Sequence, residues 1–268
     1  MLDVGQFTVM HRAGGARSRL IEAGRLLVFL VAGTMGFAAA GQETDDASRP
    51  YGELLAQAVD GRGLVDYPRL VDRRGVVDAY VDRLAAPGLL HEQQPEAQRL
   101  ATLINAYNAF TLRLILDHYD AGRLSSITDL HGGEPWDVAQ WTLSGQRVSL
   151  NQIEHEYIRK NFDEPRIHWA LVCAAWSCPP LRRELYRAEE LDRQLSDQER
   201  RVLLEGDHRF IQLEGDDETA ARATPLFDWY GQDFGDWREY INQRRPGPRL
   251  RFVGFLDYDW RLNAQPSP

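Results

Sequence analysis

Two cysteines, two histidines close before them and a few buried polar side chains are the residues of this chain that could do chemistry. Cys173 and Cys178 are separated by Ala174-Ala-Trp-Ser177, and His155 and His168 precede them. A thiol attacks a carbonyl carbon only as its thiolate, which a neighbouring base, cation or helix N-terminus must favour. The nucleophilic reading has Cys173 attack while His168 or His155 takes its proton, with Arg182-Arg183 as nearby positive charge. The structural alternative is a Cys173–Cys178 disulfide, or two small buried residues. Four residues between the sulfurs is not the C-x-x-C spacing of thiol oxidoreductases, so redox catalysis fits less well.

Glu154 sits in the apolar stripe Leu150, Ile153 and Tyr157 of an expected helix. A carboxylate there must be desolvated or paired. It could act as a general acid or orient a histidine, and the alternative is a buried ion pair with Arg113 or Arg166. Asn105 and Asn108 project together from a buried helix, either as oxyanion or substrate donors or as partners of neighbouring loop backbone. Metal chemistry has little support. His155-Glu-Tyr-Ile-Arg159 lacks the second histidine of H-E-x-x-H, and His131, His155, His168 and Cys173 have no ligand spacing. No phosphate loop or dinucleotide fingerprint occurs, so no cofactor is expected.

The elements that must position these residues are mostly helical. Tyr51, Leu54, Leu55, Ala58 and Val59 recur at the spacing of one helix face, and Gly61-Arg-Gly63 stops it. Pro68 opens a second helix and residues 75–86 a third. Residues 96–119 predict a long helix apolar nearly all round, hence buried. Trp141–Val148 predicts a hairpin turning at Ser144-Gly145, and Ser149-Leu-Asn-Gln152 the start of another helix. Arg166–Cys173 reads as a buried strand, in which His168 and Cys173 would face opposite sides unless it bends. Helices over about 188–204 and near 236–243 and a closing strand at 250–256 complete the chain. Tyr230, Asp233, Asp257 and Asp259 lie among Trp229, Phe234 and Trp260, a grouping that reads as core with polar rims. The irregular alternation predicts an α+β fold: one helix-rich domain around a small mixed or antiparallel sheet.

Arg17, Arg19 and Arg25 precede the apolar run Leu26–Phe37, which ends in Ala38-Ala-Ala40. That pattern predicts a signal peptide over 1–40, a linker over 41–50, a domain over 51–262 and a tail over 263–268. The expected protein is therefore exported, periplasmic or secreted, with no membrane insertion after cleavage; an uncleaved anchor is the alternative. The net charge is −9; four Arg and two acids give residues 1–40 a charge of +2, leaving −11 on the remainder. Such an acidic chain is not expected to bind nucleic acid, and a small molecule or peptide is the expected substrate. Oligomeric state is not legible.

Seven segments occur in the order of one family: Gly63-Leu-Val-Asp-Tyr67, Asn105-Ala-Tyr-Asn-Ala109, Ser149–His155, Arg166–Cys173, Ser177-Cys-Pro-Pro-Leu181, Trp229–Phe234 and Asp257-Tyr-Asp-Trp260. Over residues 51–262 the chain resembles the domain of unknown function 547 family, which implies no activity. A more distant resemblance is to papain- or transglutaminase-like thiol folds. There the nucleophilic cysteine precedes its histidine, whereas here only His208 follows Cys173, which asks for a permuted order. The expectation is an exported cysteine-dependent hydrolase or acyl transferase; the alternative is a non-catalytic binding domain with a Cys173–Cys178 disulfide.

Overall fold

The computed structural model describes residues 48–120, 123–205, 209–215 and 217–266. The described residues all belong to one compact unit. The expected signal peptide and His208 lie outside the described residues. No helix among the described residues is long and apolar enough to cross a membrane.

The first half of the domain is helical. Helix α1 covers residues 48–58, beginning inside the expected linker, and buries the predicted face of Tyr51, Leu54, Leu55 and Ala58. Asp66 caps helix α2 (Tyr67–Asp72) by accepting from the Arg69 amide, and Pro68 sits in its first turn. Helix α3 (Arg74–Leu84) follows. Helix α4 (Glu96–His118) is the centre of the fold: Leu103, Ile104, Tyr107, Phe110, Leu114 and Ile115 are all buried. A helix enclosed on most faces gains little from water, so its stability comes from the packing around it. Strands β1 (Trp141–Leu143) and β2 (Gln146–Val148) form the predicted hairpin, with Ser144 and Gly145 both at positive φ. Trp141 lays its ring on Phe110 of α4 at 5.0 Å.

The capping box also forms: the Ser149 amide donates to Gln152, and the Gln152 amide to Ser149 Oγ. The helix it opens widens at Gln152–Ile158 into π turns, with the Arg159 amide reaching the Glu154 carbonyl five residues back. The extra residue per turn lets Ile153, Glu154 and Ile158 all face inward while His155 and Arg159 stay at the partly exposed edge.

The predicted strand over Arg166–Cys173 does not exist. Pro165–Trp169 is a single 3-10 turn, capped by Glu164, and residues 171–173 are irregular. Proline fixes the first turn, and the Ile167 and Trp169 side chains are buried on different sides: Ile167 in the helical core, Trp169 in a second core. The β-branched, apolar texture therefore reports burial on two sides, which a strand and a tight helical turn share.

Helix α5 (Leu191–Leu203) packs beneath that turn. The second core lies on a three-stranded mixed sheet, in which β4 (Asp217–Ala223) pairs antiparallel with β3 (Ile211–Glu214) and parallel with β5 (Arg251–Phe255). Helices α6 (Leu226–Trp229) and α7 (Trp237–Arg244) supply its other side through Phe227, Trp237 and Ile241. The α+β reading holds; β3 and β4 went unpredicted because an acidic loop joins them and β4 is rich in alanine and polar residues.

After β5 the chain returns across both cores. The Trp176 amide donates to the Arg261 carbonyl, the Asn263 amide to Ala174, and the Gln265 amide to Val65. Residues 263–265, expected as a tail, thus form part of the framework. The Tyr67 hydroxyl adds a 2.7 Å bond to Asn263 Oδ1.

Gly63 turns the chain at φ 79°, and a Cβ there would stand 2.4 Å from the Pro180 side chain and 2.7 Å from the Leu181 nitrogen. Gly63→Ala therefore combines backbone strain with overpacking, and should cost about 3 kcal/mol. A drop in Tm of at least several degrees in thermal melts is the expected result.

Candidate functional site

A cavity of ≈ 310 Å³ opens at the seam of the two cores, and Glu154, His168, Cys173 and Cys178 all line it. Tyr107 and Leu171 reach it from the helical core, Leu226 from the sheet core, and Tyr258 packs on both.

The 3-10 turn points His168 into this seam, where it is 4 % exposed. Its Nε2 lies 2.7 Å from Asp233 Oδ2, on the short turn Gly231–Phe234. Arg159 binds the same carboxylate at both oxygens, at 2.6 and 2.9 Å. The His168 hydrogen bond, against a smaller opposing effect of burial, and the Arg159 contacts hold the Asp233 carboxyl well below the usual carboxylate range. Asp233 stays ionised and can stabilise an imidazolium at His168. The Tyr230 ring stacks on His168 at 4.2 Å, fixing the ring plane from the other side. His168 makes no hydrogen bond to either sulfur; its Nδ1 has no protein partner among the described residues.

Cys173 follows a segment held by Asn108, whose side chain donates to the Ala170 carbonyl and accepts from the Val172 amide, both at 2.9 Å. Ala174 then takes φ 61°, rare for a residue with a Cβ. The turn folds Cys178 back so that its sulfur accepts from the Cys173 amide at 2.7 Å. Cys173 Sγ lies 3.2 Å from the Tyr258 hydroxyl. Both cysteines are free thiols, so the disulfide weighed from sequence is not formed in this structure. Burial disfavours the Cys173 thiolate, but hydrogen bonds from Cys178, Tyr258 and the Ala175 backbone outweigh it, and the thiol is held below its ordinary value. Burial first, then the hydrogen bond and charge of Cys173, push the Cys178 thiol well up. The two thiols are thus shifted in opposite directions, Cys173 down and Cys178 up.

Glu154 is 5 % exposed. Neither arginine expected as its partner reaches it: Arg113 binds Asp78 and Asp117, and Arg166 binds Glu164 and Asp192. Burial first, then the nearby Glu154 charge, push the Tyr230 hydroxyl well above its ordinary value. The buried ion pair weighed from sequence is therefore not formed. His155, expected as an alternative base, does not line the cavity; its Nδ1 lies 2.9 Å from Arg159 Nη1.

Asn105 and Asn108 are likewise not in the cavity. Asn105 binds the Tyr186 backbone at both its amide and its carbonyl, as Asn108 binds residues 170 and 172. Each amide spends its oxygen and one N–H on backbone away from the cavity, so both act as positioning residues. Four functional side chains went unassigned from sequence: Asp233, Tyr230, Tyr258 and Arg159. The motifs Trp229–Phe234 and Asp257–Trp260 contain three of them, but an aromatic cluster reads equally well as core. No group of three His, Cys, Asp or Glu side chains among the described residues is arranged to hold a metal ion.

Residues 91–203 match the model of the family described as protein of unknown function DUF547, the family that the ordered segments resemble. The match contains Glu154, His168 and both cysteines; Tyr230, Asp233 and Tyr258 lie beyond it. No curated protein and no solved structure matches the chain, so the resemblance to papain- or transglutaminase-like folds has no support from them.

The two thiols should differ in reactivity. Rates of alkylation by iodoacetamide, followed by peptide mass mapping, should be faster at Cys173 than at Cys178 and should rise with an inflection below that of a free thiol, about 8.5. Removing the hydroxyl donor in Tyr258→Phe should move that inflection upward.

Proposed function

We propose that the protein is an exported cysteine-dependent hydrolase or acyl transferase acting on amide or ester bonds. The observation that carries this reading is the convergence on one cavity of Cys173, with its thiol held below the ordinary value, and His168, anchored by Asp233. Export rests on the arginine-flanked apolar run Leu26–Phe37 and Ala38-Ala-Ala40.

In the proposed reaction the Cys173 proton passes to His168, and the thiolate attacks the substrate carbonyl carbon. A C–S bond forms, and the carbonyl electron pair moves onto oxygen. The Tyr258 hydroxyl, 3.2 Å from the sulfur, is placed to donate to that oxyanion. Collapse of the intermediate breaks the C–N or C–O bond, and the imidazolium gives its proton to the departing amine or alcohol. A water or acceptor nucleophile then transfers a proton to His168 and attacks the thioester, releasing the product and the thiolate. Asp233 keeps the imidazole oriented in both halves.

A binding cavity without chemistry is the second reading. It is favoured by one observation: the sulfur touches Tyr258, and no imidazole is hydrogen-bonded to it.

Exposure to p-nitrophenyl acetate separates the two readings. Catalysis predicts a burst of p-nitrophenol and an acetyl adduct on Cys173 in intact-mass spectra, absent in Cys173→Ala. His168→Ala and Asp233→Asn should leave the adduct to accumulate while slowing its hydrolysis about 100-fold or more. No adduct, together with Cys173 alkylation no faster than that of a free thiol, would overturn the enzymatic reading.

A further inference from the structure

Glu154 is a carboxylate with almost no exposed surface and no ion-pair partner among the described residues, facing a cavity. Removing a carboxylate from water without a counter-charge is costly, so its placement asks for a positive group. The lining provides none. Among its residues there is no lysine or arginine, and the one imidazole belongs to His168, bonded to Asp233. Arg159, the neighbouring guanidinium, interacts with the Glu154 charge at a distance, but it is bound to Asp233 through both oxygens, makes no ion pair with Glu154 and does not line the cavity.

The walls favour a cation as well. Trp136, Trp229, Tyr258 and Trp260 form a continuous aromatic rim: Trp260 lies 5.7 Å from Trp136, 6.0 Å from Trp229 and 4.6 Å from Tyr258 between ring centroids. The Trp229 and Trp260 planes are within 19° of parallel, and Trp229 is 45 % exposed. Large aromatic rings lining one cavity with a carboxylate are an arrangement that binds alkylammonium groups through their π faces. A thiolate at Cys173 would add negative charge and further disfavour an anion.

We infer that this cavity binds an alkylammonium group, held between the Glu154 carboxylate and the aromatic rim. This inference rests on the proposed hydrolase or transferase site and narrows it: the substrate or acyl acceptor carries a cationic amine, not a carboxylate or phosphate, in the part that enters the cavity. Two sources share that chemistry, a quaternary ammonium headgroup and a protonated lysine-type side chain.

Binding is measured on Cys173→Ala protein through the fluorescence of the rim tryptophans, so turnover is not required. Choline is compared with its neutral isostere 3,3-dimethylbutan-1-ol and with the anion 3,3-dimethylbutanoate. Nα-acetyl-lysine methylamide is compared with its Nε-acetylated form. The expected result is a preference of about tenfold or more for the cation in at least one series, with the anion weakest. The series with the larger preference identifies the headgroup. Glu154→Gln should bring the cation and its neutral counterpart to within about twofold of each other, since the π faces alone attract a cation weakly. The isostere series on protein with Glu154 intact stands even if that variant does not fold. Equal binding of cation and neutral partner in both series, or a preference unchanged in Glu154→Gln, would overturn the inference. Because none of these measurements uses the thiol, failure of the acyl-adduct experiment and failure of this one are distinguishable.

Discussion

The Asp233 carboxylate holds the site together. It comes from the sheet core, yet its two oxygens are taken by Arg159 from the π-turned helix and His168 from the 3-10 turn. Two nearby segments and a turn far along the chain are thereby fixed around one charge. The bond to His168 crosses 65 residues of chain. A charge-assisted network of this kind is stronger than neutral hydrogen bonds and fixes geometry, because every member loses a partner if one moves. The depressed carboxyl pKa also gives it a pH dependence. Its stabilisation is complete above the ordinary carboxylate range and is lost only as pH falls through the lower, folded-state value.

The cysteines are placed by different means. Asn108 clamps the backbone just before Cys173, and the returning chain clamps the turn after it through Ala174, Trp176 and Ser177. With both flanks held, Ala174 keeps its left-handed conformation, and the two sulfurs face one another's hydrogen-bonding groups. Backbone strain of that sort persists only where surrounding contacts over-determine it. The same return brings Tyr258 to Cys173, so the acidity of one thiol and the shape of the turn have a common origin.

Sequence reading succeeded where the signal was local. Caps, the Ser144-Gly145 hairpin and the all-round apolar pattern of α4 follow from a few adjacent residues, and each has its expected form. It failed where the deciding contact was distant. Nothing near Glu154 in sequence reveals that Arg113 and Arg166 are taken by other carboxylates. Cys173, His168 and Glu154 were legible by residue type, since a thiol, an imidazole and a carboxylate in apolar surroundings all need explanation. Asp233 and Tyr258 were not, because their roles exist only once the second core has packed against the first. The strand misread over 166–173 has the same root: a pattern of burial does not say which backbone geometry produces it.

Cys173 and the hydroxyl that tunes it are 85 residues apart. A chain made from its N-terminus therefore presents the sulfur well before it presents the tyrosine. Until that later stretch arrives and docks, the sulfur has the acidity of any unfolded thiol, and the groove has only one of its walls. Completion of the site is thus coupled to completion of folding.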